Sequence, residues 1–240
     1  TSQSVVIETD HNIATNGDAS TAIVAQSIGG DGGNGGFAIS AGLDVKAASA
    51  NVSLGGGAGV GGTSGSVNVD SDGTMITKGS GSAGIIAHSL GGDGGNGGFA
   101  VSGGAAIGGT VSVGLGGSGA KGGKASAVSV KAGTKKNEQI TKTSGESSTG
   151  ILAQSLGGSG GNGGFSVAAG ASANLYPSAS VGVSLGGKGG NGGTAGSVTL
   201  VSSNTVITEG NLSSGLQAQS IGGGGGNGGF SVAGSAAFSL

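Results

Sequence analysis

The chain has no cysteine, no arginine and no tryptophan, and it contains few charged or aromatic residues. Five phenylalanines and one tyrosine are too few for a large globular core, although thin stripes of Val, Ile, Leu and Ala could stack into a long one. Sparse charge, with a formal net charge of −2, argues against nucleic acid as a partner, because binding it needs a basic stripe. No apolar run approaches a membrane span and no polybasic patch is present, so we expect no direct membrane insertion of this segment.

Glycine is abundant instead, at 63 of the 240 residues. One nine-residue motif occurs four times, as GGDGGNGGF at 29–37 and 91–99, GGSGGNGGF at 157–165 and GGGGGNGGF at 222–230. Their final phenylalanines lie 62, 66 and 65 residues apart, and such a period argues against a disordered low-complexity segment. The sequence therefore predicts a single repeat array that looks like a piece of a longer one, with units at about 1–63, 64–124, 125–194 and 195–240, the last truncated.

Three short segments rich in β-branched residues open each unit, as in SVNV (66–69), TMIT (74–77) and AGIIAHSL (83–90) of unit two. Turn-forming residues separate them. Three strands in roughly 25 residues, recurring once per unit, predict a right-handed parallel β-helix with one coil per unit. Stacked about 4.8 Å apart, the third strands would form an interior ladder of aliphatic side chains at Ile23, Ile85, Ile151 and Leu216.

The middle of each unit alternates apolar with small or polar residues, which predicts a β-hairpin. Unit one shows this in FAISAGLDV (37–45) and ANVSLGG (50–56). In unit three, proline in YPSA (176–179) can fix the bend, and Phe165, Val167, Val183 and Leu185 would share one apolar face. Because one hairpin is marginally stable in water, we expect neighbouring hairpins to pair into a continuous sheet.

The glycine stretches have a three-residue period, as in GGD-GGN-GGF and in LGG-KGG-NGG-T at 185–194. Three residues per turn is the geometry of a polyproline II helix, and glycine lets such helices pack backbone against backbone. Each unit would send one arm out to the hairpin and bring one back, either as packed polyglycine helices or as irregular loops. The outgoing arms are predicted to be built on Gly29, Gly30, Gly32, Gly33, Asn34, Gly91, Gly92, Gly94, Gly95, Asn96, Gly157, Gly158, Gly160, Gly161, Asn162, Gly222, Gly223 and Asn227.

Two further stretches carry a family resemblance: GILAQSLGGSGGNGG (150–164) and GLQAQSIGGGGGNGG (215–229). They resemble the glycine-rich repeats of bacterial autotransporter passenger domains, and the resemblance covers essentially the whole chain. It implies an extracellular, often adhesive protein on the bacterial cell surface, secreted through an outer-membrane β-barrel. The transport region would lie outside this chain, and the first residues, TSQSVVIETD, lack the features of a signal peptide.

Candidate chemistry is weak. GGDGGNGGF matches the glycines of the calcium-binding nonapeptide, but Asn34 replaces its aspartate, and the third position changes from Asp31 and Asp93 to serine and glycine. A His-based triad would need His11 or His88, and His88 stands where other units have glutamine. No H-E-x-x-H motif occurs. We therefore expect no catalytic residue, no metal site and no cofactor.

One local charge excess occurs, in KAGTKKNEQITK (131–142) together with Lys121 and Lys124. It is typical of a solvated loop that discourages aggregation at a sheet edge, and contact with an anionic polysaccharide is the alternative.

These patterns predict a non-enzymatic structural or adhesive segment of an extracellular bacterial surface protein. Its partners would be the neighbouring repeats of the same chain and host or bacterial surface glycans or proteins. The alternative is a carbohydrate- or ice-binding repeat module, because stacked arms would present a flat array of small side chains.

Overall fold

The structure, a computed structural model, describes residues 1–134, 139–174 and 177–239. Four residues of the lysine-rich insertion (135–138) and the start of the predicted YPSA turn lie outside the described residues. The described secondary structure consists of 19 β-strands. The described residues include no helix that is long and apolar enough to cross a membrane. Every strand pairs in parallel with its equivalents in neighbouring units. This confirms the predicted all-β repeat fold.

Three strands of each unit form the coil. The first strands are β1 (Val5–Thr9), β6 (Val67–Ser71), β11 (Val128–Ala132) and β16 (Val198–Ser202). The second strands are β2 (Ile13–Thr15), β7 (Met75–Thr77), β12 (Ile140–Thr143) and β17 (Thr205–Thr208). The third strands are β3 (Ile23–Ile28), β8 (Ile85–Leu90), β13 (Ile151–Leu156) and β18 (Leu216–Ile221). Each set makes one four-stranded sheet, so the coil has three sheets.

The three coil sheets enclose one apolar core. Alternation along each strand turns every second side chain inward, and Val67, Val69, Met75 and Ile85 are at most 1% exposed. The third strands are in register, so that Ile23 pairs with Ile85, Ile85 with Ile151, and Ile151 with Leu216. Leu216 belongs to the last unit and is 51% exposed. Stacking thus converts thin apolar stripes into a continuous core.

Inward-facing serines close the coil where the glycine arms begin. The Ser89 hydroxyl donates to the Gly65 carbonyl at 3.0 Å and accepts from the Ser126 amide at 2.9 Å. Ser155 makes the same two contacts one unit later, to Ser126 and Gly196. Each hydroxyl therefore ties its own unit to the next one and satisfies backbone groups that are otherwise unpaired.

The remaining strands form a second body, called the wing here. The fourth strands are β4 (Ala38–Asp44), β9 (Ala100–Ala106), β14 (Ser166–Asn174) and β19 (Ser231–Ser239), and the fifth are β5 (Ala48–Leu54), β10 (Gly109–Leu115) and β15 (Ser180–Leu185). The fourth strands make one sheet and the fifth strands another. The two strands predicted as a hairpin therefore pair with neighbouring units and not with each other, and they pack face to face across a two-layer sandwich.

Small and polar residues fill the space between the two wing sheets. The buried Ser53 hydroxyl donates to the backbone carbonyl of Ala38 in the opposite sheet at 2.7 Å, so the two layers lie close together. Val167 lies on the outer side of one sheet, whereas Val183 and Leu185 lie on the outer side of the other. The prediction that they share one apolar face is wrong, because the narrow seam holds Ser, Ala, Gly and Thr, with Asn51 opposite glycine, and the aliphatic side chains lie outside.

Replacing Ile85 with aspartate places an unpaired charge between Ile23 and Ile151, where the wild-type side chain is fully buried. We expect Ile85→Asp to lower the free energy of unfolding by about 3 kcal/mol or more. The control is Ile86→Asp on the outward side of the same strand, which should cost a fraction of that. Thermal melting followed by circular dichroism measures both, and equal melting temperatures for the two variants would contradict the described core.

Candidate binding surfaces on the arms and wing

The glycine arms are ordered by backbone hydrogen bonds that recur every third residue. In the outgoing arms, the amides of Gly29, Gly32 and Gly35 donate to the carbonyls of Leu90, Asp93 and Asn96 in the next unit, each at 2.8 Å. The same pattern joins unit two to unit three and unit three to unit four. A three-residue repeat of this kind is the repeat of a polyproline II helix, which supports the packed polyglycine alternative over irregular loops.

Return arms at 55–63, 116–124 and 186–194 form a second layer that runs antiparallel to the first. Amides of Gly56, Gly59 and Gly62 donate to the carbonyls of Gly36, Gly33 and Gly30, each at 2.7 Å. Every internal arm therefore bonds both to its equivalents and to arms of the other layer. The result is a two-layer slab of arms that connects the coil to the wing.

Close backbone contact between arms explains the glycine at the first two positions of each triplet. A Cβ at a first position would lie 1.9–2.2 Å from a return-arm carbonyl, at Gly29, Gly32, Gly91, Gly94, Gly157 and Gly160. A Cβ at a second position would lie 1.8–2.1 Å from a carbonyl of the preceding outgoing arm, at Gly92, Gly95, Gly158, Gly161 and Gly223. No side chain tolerates such distances, so these positions admit only glycine without a backbone shift.

These contacts need a neighbouring unit on each side. Among the described residues no unit precedes the first, and no atom lies within 4 Å of a Cβ built on Gly30 or Gly33. At the other end, a Cβ on Gly222 would be 3.6 Å from its nearest atom, an ordinary contact distance.

Two natural alanines show what a Cβ does inside an arm. The amide of Ala120 bonds at 3.0 Å, whereas its neighbours Gly117 and Gly123 make the equivalent bonds at 2.7 Å. Likewise, the amide of Ala58 bonds at 3.2 Å, against 2.8–2.9 Å for Gly55 and Gly61. The arms accommodate an occasional methyl group by loosening one hydrogen bond.

Third-position side chains form ladders on the outer surface of the outgoing arms. The Asn34 carboxamide oxygen accepts from the Asn96 amide, Asn96 from Asn162 and Asn162 from Asn227, each at 2.8 Å. The Asp31 carboxylate accepts from the Asp93 amide in the same way, at 2.8 Å. These oxygens accept hydrogen bonds from backbone amides of the next unit. Among the described residues, no three His, Asp or Glu side chains form a group that could hold a metal ion.

Stacked phenylalanines form the next ladder, where the outgoing arms enter the wing. Ring centroids of Phe37, Phe99, Phe165 and Phe230 are 5.1, 4.9 and 5.2 Å apart, with interplanar angles of 8° or less. The wing continues this apolar surface, because Ile39, Leu43 and Val232 are more than half exposed. Its opposite side exposes Val52, Val181 and Leu185. Contiguous exposed apolar area of this kind marks interaction sites in soluble proteins.

Three of the nine lysines lie on the return arms. Lys121, Lys124 and Lys188 occupy exposed third positions there, whereas Asp31 and Asp93 lie on the outgoing side. The two broad sides of the slab therefore differ in charge.

In the described part of the lysine-rich insertion, two lysines lie beside carboxylates. Lys142 forms an ion pair with Glu209 at 2.7 Å, and Lys131 lies 3.9 Å from Asp70. The hydrogen bond from Lys142 lowers the pKa of Glu209.

The two histidines lie apart and have different surroundings. His11 is exposed beside Asp10, with 2.6 Å between its Nδ1 atom and the carboxylate. His88 lies in the ladder of Gln26, Gln154 and Gln219, and its Nδ1 atom is 3.3 Å from the Gln26 amide nitrogen. Its buried Nε2 atom has no hydrogen-bond partner within the described part of the chain, and burial lowers the pKa of His88.

No family model and no curated protein matches the chain. A solved structure, the springtail antifreeze protein from Granisotoma rainieri described as a bundle of nine polyproline type II helices, is 21% identical, with 85% of this chain and 94% of that chain covered. The TM-score is 0.27, which does not establish a shared fold.

Equivalent glycines at the edge and in the interior of the array give a matched pair of substitutions. At Gly95 a Cβ would lie 2.1 Å from the Gly33 carbonyl, whereas at Gly33 it meets nothing within 4 Å. We expect Gly95→Ala to destabilise by about 1–3 kcal/mol through overpacking. Gly33→Ala should be neutral or stabilising by up to about 1 kcal/mol, because it restricts the unfolded chain. Denaturant unfolding measures both. An unchanged free energy of unfolding for Gly95→Ala would show that the arms are loops.

His88 should make stability depend on pH. Its pKa is lowered in the fold, so the unfolded chain binds the proton more readily and stability falls as pH drops below the unfolded value of about 6.5. His88→Gln restores the residue found in the other units and should reduce the fall in melting temperature between about pH 7.5 and pH 5. An unchanged fall in this variant would show that other groups cause the acid sensitivity.

Proposed function

We propose that the chain is a non-enzymatic structural and adhesive segment of an extracellular bacterial surface protein. The resemblance of its repeats to autotransporter passenger domains supports the location on the cell surface. The geometry supports a mechanical role, because each added unit lengthens the coil, the arms and the wing together through parallel backbone pairing. Stability in such an array comes from nearest-neighbour contacts, so length can grow without a new kind of core.

The adhesive role rests on the placement of side chains in the wing, where polar side chains lie in the seam and apolar side chains face outward. Its seam buries hydroxyls such as Ser102, Ser112 and Ser166, which are at most 1% exposed, while aliphatic side chains face outward. An ordinary two-layer sandwich has the reverse pattern. Exposing Ile, Val and Leu on both sides costs solvation free energy that a buried contact would recover, at about 25 cal/mol per Å² of apolar area. We therefore assign the wing and its phenylalanine ladder as the adhesive surface.

A carbohydrate- or ice-binding module is the second candidate. The observation that favours it is the flat outgoing side of the arms, where the exposed carboxamides of Asn34, Asn96, Asn162 and Asn227 stand one per unit. A glycan array and a thermal-hysteresis assay address the two forms of this candidate directly.

The adhesive role is tested by making the wing surface polar without touching its seam. The double variant Val101→Ser, Val167→Ser changes two outward positions that pair with each other in adjacent strands. We expect beads coated with the variant to bind less to bacterial and host-cell surfaces than beads coated with the parent chain. The melting temperature should fall only modestly, because both valines are half-buried and lie on the outer side of their sheet, away from the seam.

Asn96→Ser together with Asn162→Ser on the arms is the matched control. Loss of adhesion with this variant and not with the wing variant would shift the assignment to the amide ladder. Undiminished adhesion with both variants would contradict the proposed surface.

A further inference from the structure

The two broad sides of the plate formed by the arms and the wing carry charges of opposite sign. The outgoing side is the outer surface of the outgoing arms and the fourth strands, and the return side is that of the return arms and the fifth strands. Lys121, Lys124 and Lys188 are exposed on the return side, and Asp31 and Asp93 are exposed on the outgoing side. Within the described part of the chain, none of these five side chains forms an ion pair.

Each charged zone adjoins an apolar zone on the wing. On the outgoing side this zone begins with the phenylalanine ladder. On the return side it begins with Leu54, Leu115 and Leu185, of which the first and the last are more than half exposed. We propose that copies of the chain stack face to back, with the return side of one copy on the outgoing side of the next. This inference rests on the proposed adhesive role and identifies the partner of that surface as a second copy of the chain.

Hydrogen bonds between the two arm layers fix how the charges line up. The Gly123 amide donates to the Gly92 carbonyl, and the two layers run antiparallel. Asp93 therefore lies between the levels of Lys121 and Lys124 along the arms. A second copy, displaced across the thickness of the plate with no shift along the arms, places the Asp93 carboxylate of one molecule between two ammonium groups of the other.

The apolar zones line up under the same displacement. The hydrogen bond from the Gly117 amide to the Gly98 carbonyl sets Leu115 between the levels of Phe99 and Val101. The leucines of one copy therefore fit between the phenylalanines and the aliphatic side chains of the next copy. One displacement satisfies the charged and the apolar zones together, which is the complementarity that a specific contact needs.

Every unit adds the same strip of contact. Nine arm residues that rise about 3.1 Å each and seven strand residues that rise about 3.3 Å each span about 50 Å. With a width of about 4.8 Å, one unit offers about 240 Å². A stable interface buries about 800 Å² on each partner, so about three to four units suffice.

The charges select this orientation over contact between like sides. Two copies that met through like sides with their arms overlapping would oppose lysine to lysine or aspartate to aspartate, which costs free energy. Contact between unlike sides is heterologous, so each copy keeps one free side to which a further copy can add. The stacks are therefore open-ended.

Sedimentation velocity of the 240-residue chain at increasing concentration tests the stacking. We expect the parent chain to self-associate. The double variant Lys121→Glu, Lys124→Glu makes the return side acidic and should weaken self-association by more than about tenfold, because like charges then meet. The double variant Asp31→Lys, Asp93→Lys makes the outgoing side basic and should have the same effect.

Combining the two double variants in one chain identifies the contact. This charge-swapped chain has an acidic return side and a basic outgoing side, so it should self-associate like the parent. An equimolar mixture of the two double variants should also associate, although neither does so alone. A contact between like sides predicts neither recovery.

Two controls separate stacking from folding and from net charge. Lys46→Glu with Lys78→Glu makes the same change in net charge at exposed positions in turns, and it should associate like the parent. Asp31→Asn with Asp93→Asn keeps an oxygen that accepts the amide of the next unit, and it should weaken association less than the lysine substitutions do. Melting temperatures show that each variant folds.

Three results would each overturn the stacking: a parent chain that stays monomeric, unchanged association in both double variants, or no recovery in the charge-swapped chain. A monomeric parent chain whose coated beads still bind to cell surfaces would overturn the stacking alone and leave the proposed adhesive surface in place.

Discussion

The whole slab depends on backbone contacts that leave no room for a Cβ atom. At internal positions such as Gly94 and Gly95, a carbonyl oxygen lies about where a methyl group would stand, at 2.1 Å. Ordering glycine costs up to about 1 kcal/mol more than ordering alanine, and one hydrogen bond returns a similar amount. A single arm is therefore marginal, whereas an arm surrounded by others gains bonds to both layers. Order in the arms is a property of the array and not of any one segment.

The same contacts explain the contrast between the coil and the wing. Arms packed backbone to backbone hold the two layers close together, and the wing sheets continue those layers directly. Ser, Ala, Gly and Thr fit in a seam of that width, as the contact from Ser53 to the Ala38 carbonyl shows, and the larger Asn51 is buried there where Gly42 and Gly104 lie opposite it. In the coil, the second strand of each unit lies between the first and the third strand and holds these two apart. The space that the three strands enclose accommodates Val67, Met75 and Ile85. The spacing set by the arms thus explains both the apolar core of the coil and the apolar outer surface of the wing.

Periodicity made the ladders and arms predictable from the sequence. A fixed repeat places Ile23 beside Ile85 whatever the details of the turns, and a three-residue glycine pattern suits a polyproline II helix. The wing was not predictable by the same reasoning. SVGVSL alternates equally well with Val inside or Ser inside, and the usual preference for burying valine selects the wrong face. The deciding factor, the distance between layers, is set by the backbone packing of the adjoining arms, and the alternation within one strand carries no information about it. The serine contacts at the coil boundary were not predicted either, since one serine per strand, such as Ser89, gives no signal apart from its recurrence as Ser27 and Ser155.

Amide hydrogen exchange on the arm glycines tests the central claim most directly. If the arms are hydrogen-bonded polyglycine helices, the amides of Gly94, Gly95 and Gly161 should exchange slowly, because their opening requires disruption of the slab. The amides of Gly222, Gly225 and Gly228, which belong to the same motif but have no backbone acceptor among the described residues, should exchange rapidly in the same sample. Fast exchange throughout the arms would contradict the account, since it would show that the arms are loops and that the close backbone packing does not exist in solution.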